Sequence, residues 1–206
     1  MKLLLLCTLL IASTSVFADS FFQAKTEKAI SQAYDNRNYA PIEEAAEKSR
    51  GYTQALALYW LSQKDYSVKN MTQAQQKLDQ AEAILKDRDD AESKVLLAAV
   101  YGMMMGVNPQ LGGQLYPTTM ALLESAEMDK SARPRALMVK GVNVFHTPPV
   151  YGGGAEKAVA VLTEAKAAYE EQRQKSIKTQ AHWGESQTDW WLAKAKATVA
   201  GETTSL

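Results

Sequence analysis

The sequence predicts an all-α fold of stacked antiparallel helix pairs, and three observations predict it. Ala, Gln, Glu, Lys and Leu dominate while strand-forming runs are scarce, which is a helical composition. A turn signal, Pro109-x-x-Gly112-Gly113, returns 40 residues later as Pro149-x-x-Gly152-Gly153, each copy just ahead of a helix-patterned segment. A stripe also recurs: Ala74, Leu78 and Ala81 fall at i, i+4 and i+7, and Thr118, Leu122, Ser125 and then Ala158, Leu162, Ala165 repeat the spacing. Small, large, small on one helix face lets a neighbouring helix approach closely around a single protruding Leu.

Taken in order, the chain opens with Lys2, an apolar run from Leu3 to Ala12, and Val16-Phe17-Ala18 ending in a small residue. That is the pattern of a secretory leader cleaved after Ala18, and the run is shorter than the roughly 20 residues of a spanning helix. Residues 19–50 are expected to hold a short helix pair, Phe22 to Tyr34 and Pro41 to Ser49. Residues 51–201 are expected to hold the repeats. First helices run Gly51 to Gln63, Glu92 to Met105 and Pro134 to Phe145, each followed by a striped second helix. Trp183 to Ala200 reads as a last helix ended by Gly201, and 202–206 as a tail. Thr72 with Gln75 and Ser186 with Asp189 are spaced as capping boxes, and Asp90 and Ser131 stand as N-caps. Gly102 and Gly141 lie inside helices, where glycine costs about 1 kcal/mol relative to Ala. Close helix contact is the expected compensation.

Composition excludes several functions. The single cysteine, Cys7, lies in the leader, so the mature chain has no disulfide, thiol nucleophile or thiolate metal site. Loss of the leader removes Lys2 and no acid, leaving 22 basic against 23 acidic residues. That balance argues against a nucleic-acid binder. No later segment is long and apolar enough to insert in a membrane.

The striped second helices resemble those of the tetratricopeptide repeat family, which carry Ala, a large apolar residue four on, and Ala three further. Ala74/Leu78/Ala81 and Ala158/Leu162/Ala165 match it, and Thr118/Leu122/Ser125 is a weaker copy. The family's small residue twelve before the first Ala is matched by Ser62. Gly102 precedes Thr118 by 16 and Gly141 precedes Ala158 by 17, so the later units carry four or five extra residues, which hold the Pro/Gly turns. The family's closing proline is absent. PPVYGGGAEKAVAVLTEA followed by HWG and DWWLAKA is also similar to exported bacterial tetratricopeptide-like proteins, among them periplasmic components of tripartite transporters. The resemblance implies a right-handed superhelical stack, a binding role rather than catalysis, and no cofactor.

Candidate chemistry is sparse. Tyr101, Tyr116, Tyr151 and Trp183 lie near loops where an inner face can display them, whereas Trp60, Trp190 and Trp191 sit in helices. At least one of the adjacent pair is expected to point away from the other. Arg135, beside Pro134 and Arg133, suits an acidic peptide or a C-terminal carboxylate, or simply pairs with Asp129 or Glu127. Met103, Met104, Met105, Met120 and Met128 read as core filling, since consecutive methionines cannot face one ion. His146 and His182 meet only if the last helix folds back beside the Pro149 turn, and two histidines alone make a thin metal site. Nothing resembles a Ser/His/Asp set, so the chain is expected not to be an enzyme. The leading expectation is a periplasmic or secreted scaffold for a protein or peptide on its concave face. The Pro109–Gly113 and Pro149–Gly154 turns form its rim. The alternative is a carrier in which Tyr101, Met105, Tyr151 and Trp183 line a pore for a small hydrophobic ligand.

Overall fold

A computed structural model describes residues 25–175, 177 and 181–201. The leader expected over 1–18 and the tail expected over 202–206 lie outside them. Among the described residues the chain is helical without strands. The elements are α1 (25–35), α2 (Ala40–Lys48), α3 (Gly51–Ser67), α4 (Met71–Leu85), α5 (Ala91–Val107), α6 (Gly112–Glu127), α7 (Arg133–His146), α8 (Ala155–Gln174) and α9 (Glu185–Val199). From α2 onward each helix packs on its sequence neighbour. The odd-numbered helices also touch in series, α3 on α5, α5 on α7 and α7 on α9. α1 joins through Tyr34, whose ring stacks on Trp60 of α3 at 5.2 Å and whose hydroxyl donates to Gln63. No helix among the described residues is long and apolar enough to cross a membrane.

The stripes are the core of each pair. Ala74, Leu78 and Ala81 are fully buried, as are Ala158, Leu162 and Ala165. The middle unit corrects the expected register. Thr118 and Ser125 are exposed and Leu122 is half-buried, while Thr119, Leu123 and Ala126 are fully buried. The sequence offers both registers one residue apart, and the helix buries the one ending in Ala, which has no hydroxyl to satisfy. With Thr119 in place, Gly102 precedes it by 17 residues, as Gly141 precedes Ala158. The two later units therefore share one spacing, five residues longer than that from Ser62 to Ala74. Gly141 earns its place by contact: an added Cβ would lie 2.6 Å from Leu162 Cγ.

The two Pro/Gly turns begin alike and end differently. Each proline opens a 3-10 turn, Pro109–Leu111 and Pro149–Tyr151. Gly112 has φ −56° and forms the first residue of α6 with Gly113 behind it, both in open space. In the second turn Gly152 has φ 85°, and a Cβ on Gly153 would strike the Thr147 carbonyl and Cβ, so the chain presses against the end of α7 before α8 begins.

Helix ends also differ from expectation in places. Asn70, not Thr72, caps α4 by accepting from the Gln73 amide. Asp129, not Ser131, supports the start of α7, accepting from the amides of Ser131 at 2.7 Å and Ala132 at 3.3 Å. At α9 the Gln187 side chain accepts from the Gly184 amide, and Ser186 turns instead to Asp35. Asp90 is the N-cap expected: it accepts from the Ser93 amide at 2.9 Å and its hydroxyl at 2.8 Å. Burial works against the Asp90 carboxylate, but those bonds and Arg88 hold its pKa below the usual value. Asp90→Ala is expected to destabilise the fold by about 1 kcal/mol, read from urea unfolding at pH 7. The depressed pKa adds stability that is present above the ordinary aspartate range and lost as pH falls through the folded value. The difference between wild type and Asp90→Ala should therefore shrink at acid pH.

Candidate functional site

Two places concentrate polar and aromatic side chains. The first lies against the odd-numbered row, at α3, α5 and α7. α9 begins only at Glu185, two residues later than the expected start at Trp183, because Gly184 takes φ 98° and turns the chain. Residues 181–184 instead run against the row, and Trp183 enters it. Its indole Nε1 donates to the Tyr52 hydroxyl of α3 at 2.8 Å, its carbonyl accepts from Tyr169 of α8 at 3.0 Å, and its ring tilts against Tyr59 at 6.4 Å. Beneath it Arg135 of α7, 1% exposed, holds Glu92 of α5 with Nε to Oε2 at 2.8 Å and Nη2 to Oε1 at 2.5 Å. Arg135 Nη2 also donates to the Ser131 carbonyl, which Gln172 shares at 2.9 Å. Burial pushes the Glu92 carboxyl up, and Arg135 counters it; burial with Glu92 and Glu27 pushes the Tyr52 phenol far up.

Beside Trp183 lies a cleft of about 690 Å³ bordered by Lys28, Gln32, Asp35, Arg173 and His182. Its charges are largely spoken for. Arg173 pairs with Glu185, Lys166 with Asp189 at 2.5 Å, and Asp35 accepts from Ser186 at 2.9 Å and Gln187 at 3.0 Å. The cleft is thus a polar seam along which α9 is laced to α8 through Arg173 and Lys166 and to α1 through Asp35.

The second place is the edge formed by the end of α7 and the middle of α9. The Phe145 and His146 rings lie 5.2 Å apart, and both meet Trp191, at 5.5 and 5.3 Å. Trp190 stands edge-on to Trp191 at 4.7 Å, so the adjacent indoles touch rather than diverge. Lys194 Nζ lies 5.8 Å from the Phe145 ring, 4.9 Å from Trp190 and 5.0 Å from Trp191, an attractive arrangement of a cation over ring faces. Among the described residues no carboxylate forms an ion pair with Lys194. Val144, Leu162, Leu192 and Ala195 pack beneath as a separate apolar cluster. Trp190 is 43% exposed and His146 is open to solvent on one side. Burial on the other side, then Lys194, lowers the His146 pKa.

The residues singled out in the sequence do not form one site. Tyr101 is buried with its hydroxyl donating to Glu82 at 3.1 Å, and burial lifts its pKa to about 12. Tyr116 and Met105 are half-buried on α6 and α5, while Tyr151 is 77% exposed on the turn that follows His146. Arg135 and Trp183 are buried, 1% and 5% exposed, and line the cleft with their polar groups already taken up by Glu92, Ser131 and Tyr52. The guanidinium is taken up by Glu92 rather than by Asp129 or Glu127. Of Tyr101, Met105, Tyr151 and Trp183, only Trp183 lines the cleft. The two histidines sit apart, His182 at the cleft and His146 at the edge. Met104 is buried and Met103 and Met120 pack on the core, as expected for filling, though Met128 is 87% exposed. The first turn borders an open hollow of about 460 Å³ with Met71, Val107 and Leu111. Sequence reasoning missed the α7–α9 edge, whose available signal was the i, i+4 spacing of Trp190 and Lys194.

No protein-family model matches the chain, and no curated protein does. The class that the helices define is shared with a solved structure. The HusA haemophore from Porphyromonas gingivalis superposes with a TM-score of 0.57 at 22% identity, covering 90% of this chain and 94% of that one. At that identity the likeness shows the fold: an all-α arrangement of helices packed in neighbouring pairs.

Proposed function

We propose that the chain is an exported, non-enzymatic binding protein of tetratricopeptide-like, right-handed superhelical build that carries a small, flat, hydrophobic ligand. The carrying observation is where apolar surface stays open. The inner side, where a scaffold of this kind would grip a peptide, is filled by the chain's own residues 181–184 with Trp183 at the centre. The α7–α9 edge keeps Trp190 and its neighbouring rings partly open over an apolar floor. Aromatic faces recruit flat apolar ligands through offset and edge-to-face contact. The name of the structural neighbour gives the ligand class to try first, which is haem.

Titration of the purified full chain with ferric haem should give a saturable change in the haem absorbance band and quenching of tryptophan fluorescence. Native mass spectrometry should show a one-to-one adduct. A flat titration with no adduct would overturn the carrier reading. The scaffold reading returns if, in addition, a peptide array gives saturable binding that Trp183→Phe strengthens by loosening the inner segment.

A further inference from the structure

We propose that the α7–α9 edge is a metalloporphyrin site in which His146 supplies an axial nitrogen to the iron and Lys194 pairs with a propionate. This rests on the reading of the protein as a haem carrier and names the residues that would do the carrying. A haem presents three features together: a flat apolar macrocycle, a metal that takes an imidazole nitrogen, and two carboxylates at one edge. The edge offers a counterpart to each.

Trp190, 43% exposed, supplies the ring face for stacking, while Trp191, edge-on to it at 88°, and Phe145, tilted 59° to Trp191, wall the site. His146 sits at the last residue of α7, its ring 5.3 Å from Trp191 and open to solvent on one side. A neutral imidazole has a lone pair to donate to a metal. The bond is dative, so no electron or proton has to leave the pair. Lys194 is the cation whose resting place is over the three rings without an acidic partner among the described residues. A carboxylate entering with the macrocycle gives it the stronger partner, and its departure clears the Trp190 face for stacking. The turn carrying Val150 and Tyr151, 83% and 77% exposed, begins three residues after His146 and adds apolar surface beside the same helix end.

The test separates the inference from the reading beneath it. Wild type, His146→Ala, Lys194→Ala and, as a control, His182→Ala are titrated with ferric haem by absorbance and with metal-free protoporphyrin by fluorescence quenching. His146→Ala should remove the histidine-ligated haem spectrum and weaken ferric haem at least the roughly ten- to hundredfold that loss of a ligand's supporting partner costs. It should leave metal-free protoporphyrin binding unchanged. Lys194→Ala should weaken both porphyrins alike, and His182→Ala neither. An unaltered haem spectrum and affinity in His146→Ala would overturn the axial assignment while leaving the carrier reading standing. Affinities of Lys194→Ala for both porphyrins that equal those of wild type would remove the propionate pairing. Failure of wild type to bind either porphyrin would overturn the reading and the inference together.

Discussion

Arg135→Met is expected to destabilise the protein by about 3–5 kcal/mol, the usual cost of stripping one partner from a buried ion pair. The side chain is 1% exposed and Glu92 14%, so the carboxylate left behind has almost no water to turn to. It must either stay ionised without its partner or take up a proton. The loss spreads further, because Arg135 also donates to the Ser131 carbonyl beneath the Trp183 segment. Urea unfolding followed by circular dichroism measures it. A second variant decides what the pair is for. Arg135→Met combined with Glu92→Met should regain most of the loss, since a buried pair replaced by apolar groups of similar volume is often neutral or better. A double variant as unstable as the single would mean that stability depends on the hydrogen bonds radiating from Arg135, not on relieving the charge. A cost below about 1 kcal/mol in the single variant would mean that water reaches Glu92, contrary to its burial.

Arg135 also shows where the sequence stopped being legible. Its neighbours along the chain, Glu127 and Asp129, offered local partners, and a local partner is the economical guess from sequence. The actual one, Glu92, lies on the preceding first helix and meets Arg135 only because α5 and α7 touch in the odd-numbered row. Trp183 is a stronger case: its partner Tyr52 is 131 residues away. Periodicity records which face of a helix is buried and carries no information on which remote side chain faces it. The stripes were readable because each is a property of a single helix. Even there, Thr118-Thr119, Leu122-Leu123 and Ser125-Ala126 spell the pattern twice, and packing rather than lettering chose between them. The α7–α9 edge has the same origin as the Arg135 pair. Its two halves, Phe145-His146 and Trp190 to Lys194, are each visible locally and become one surface only through the seriated contact of α7 with α9.

The repeated Pro-x-x-Gly-Gly signal carries the opposite lesson, since identical letters hold two different backbones, and a matched set of substitutions makes this measurable. Gly153→Ala is expected to cost about 3 kcal/mol, at the upper end of ordinary overpacking. Its Cβ would land against the Thr147 carbonyl and Cβ and within 2.6 Å of the Val144 carbonyl oxygen, which are fixed atoms at the end of α7 that cannot rotate aside. Relief requires the turn to back away from α7, breaking the bond from the Gly154 amide to the Val144 carbonyl at 2.9 Å. Gly113→Ala, the same change at the same position of the motif, is expected to stabilise by up to about 1 kcal/mol. Gly113 lies in the first turn of α6, an added Cβ meets nothing within 4 Å, and Ala has less freedom to lose on folding. Gly112→Ala should behave as Gly113→Ala does. Thermal and urea unfolding of the three variants would show the contrast directly. The turn that binds α7 to α8 is also the one beside His146, so at the proposed haem site Gly153→Ala should weaken binding while Gly113→Ala leaves it alone. Equal effects of Gly153→Ala and Gly113→Ala on stability would mean that the two turns share one geometry after all, and that the tight approach of the second to α7 is not maintained in solution.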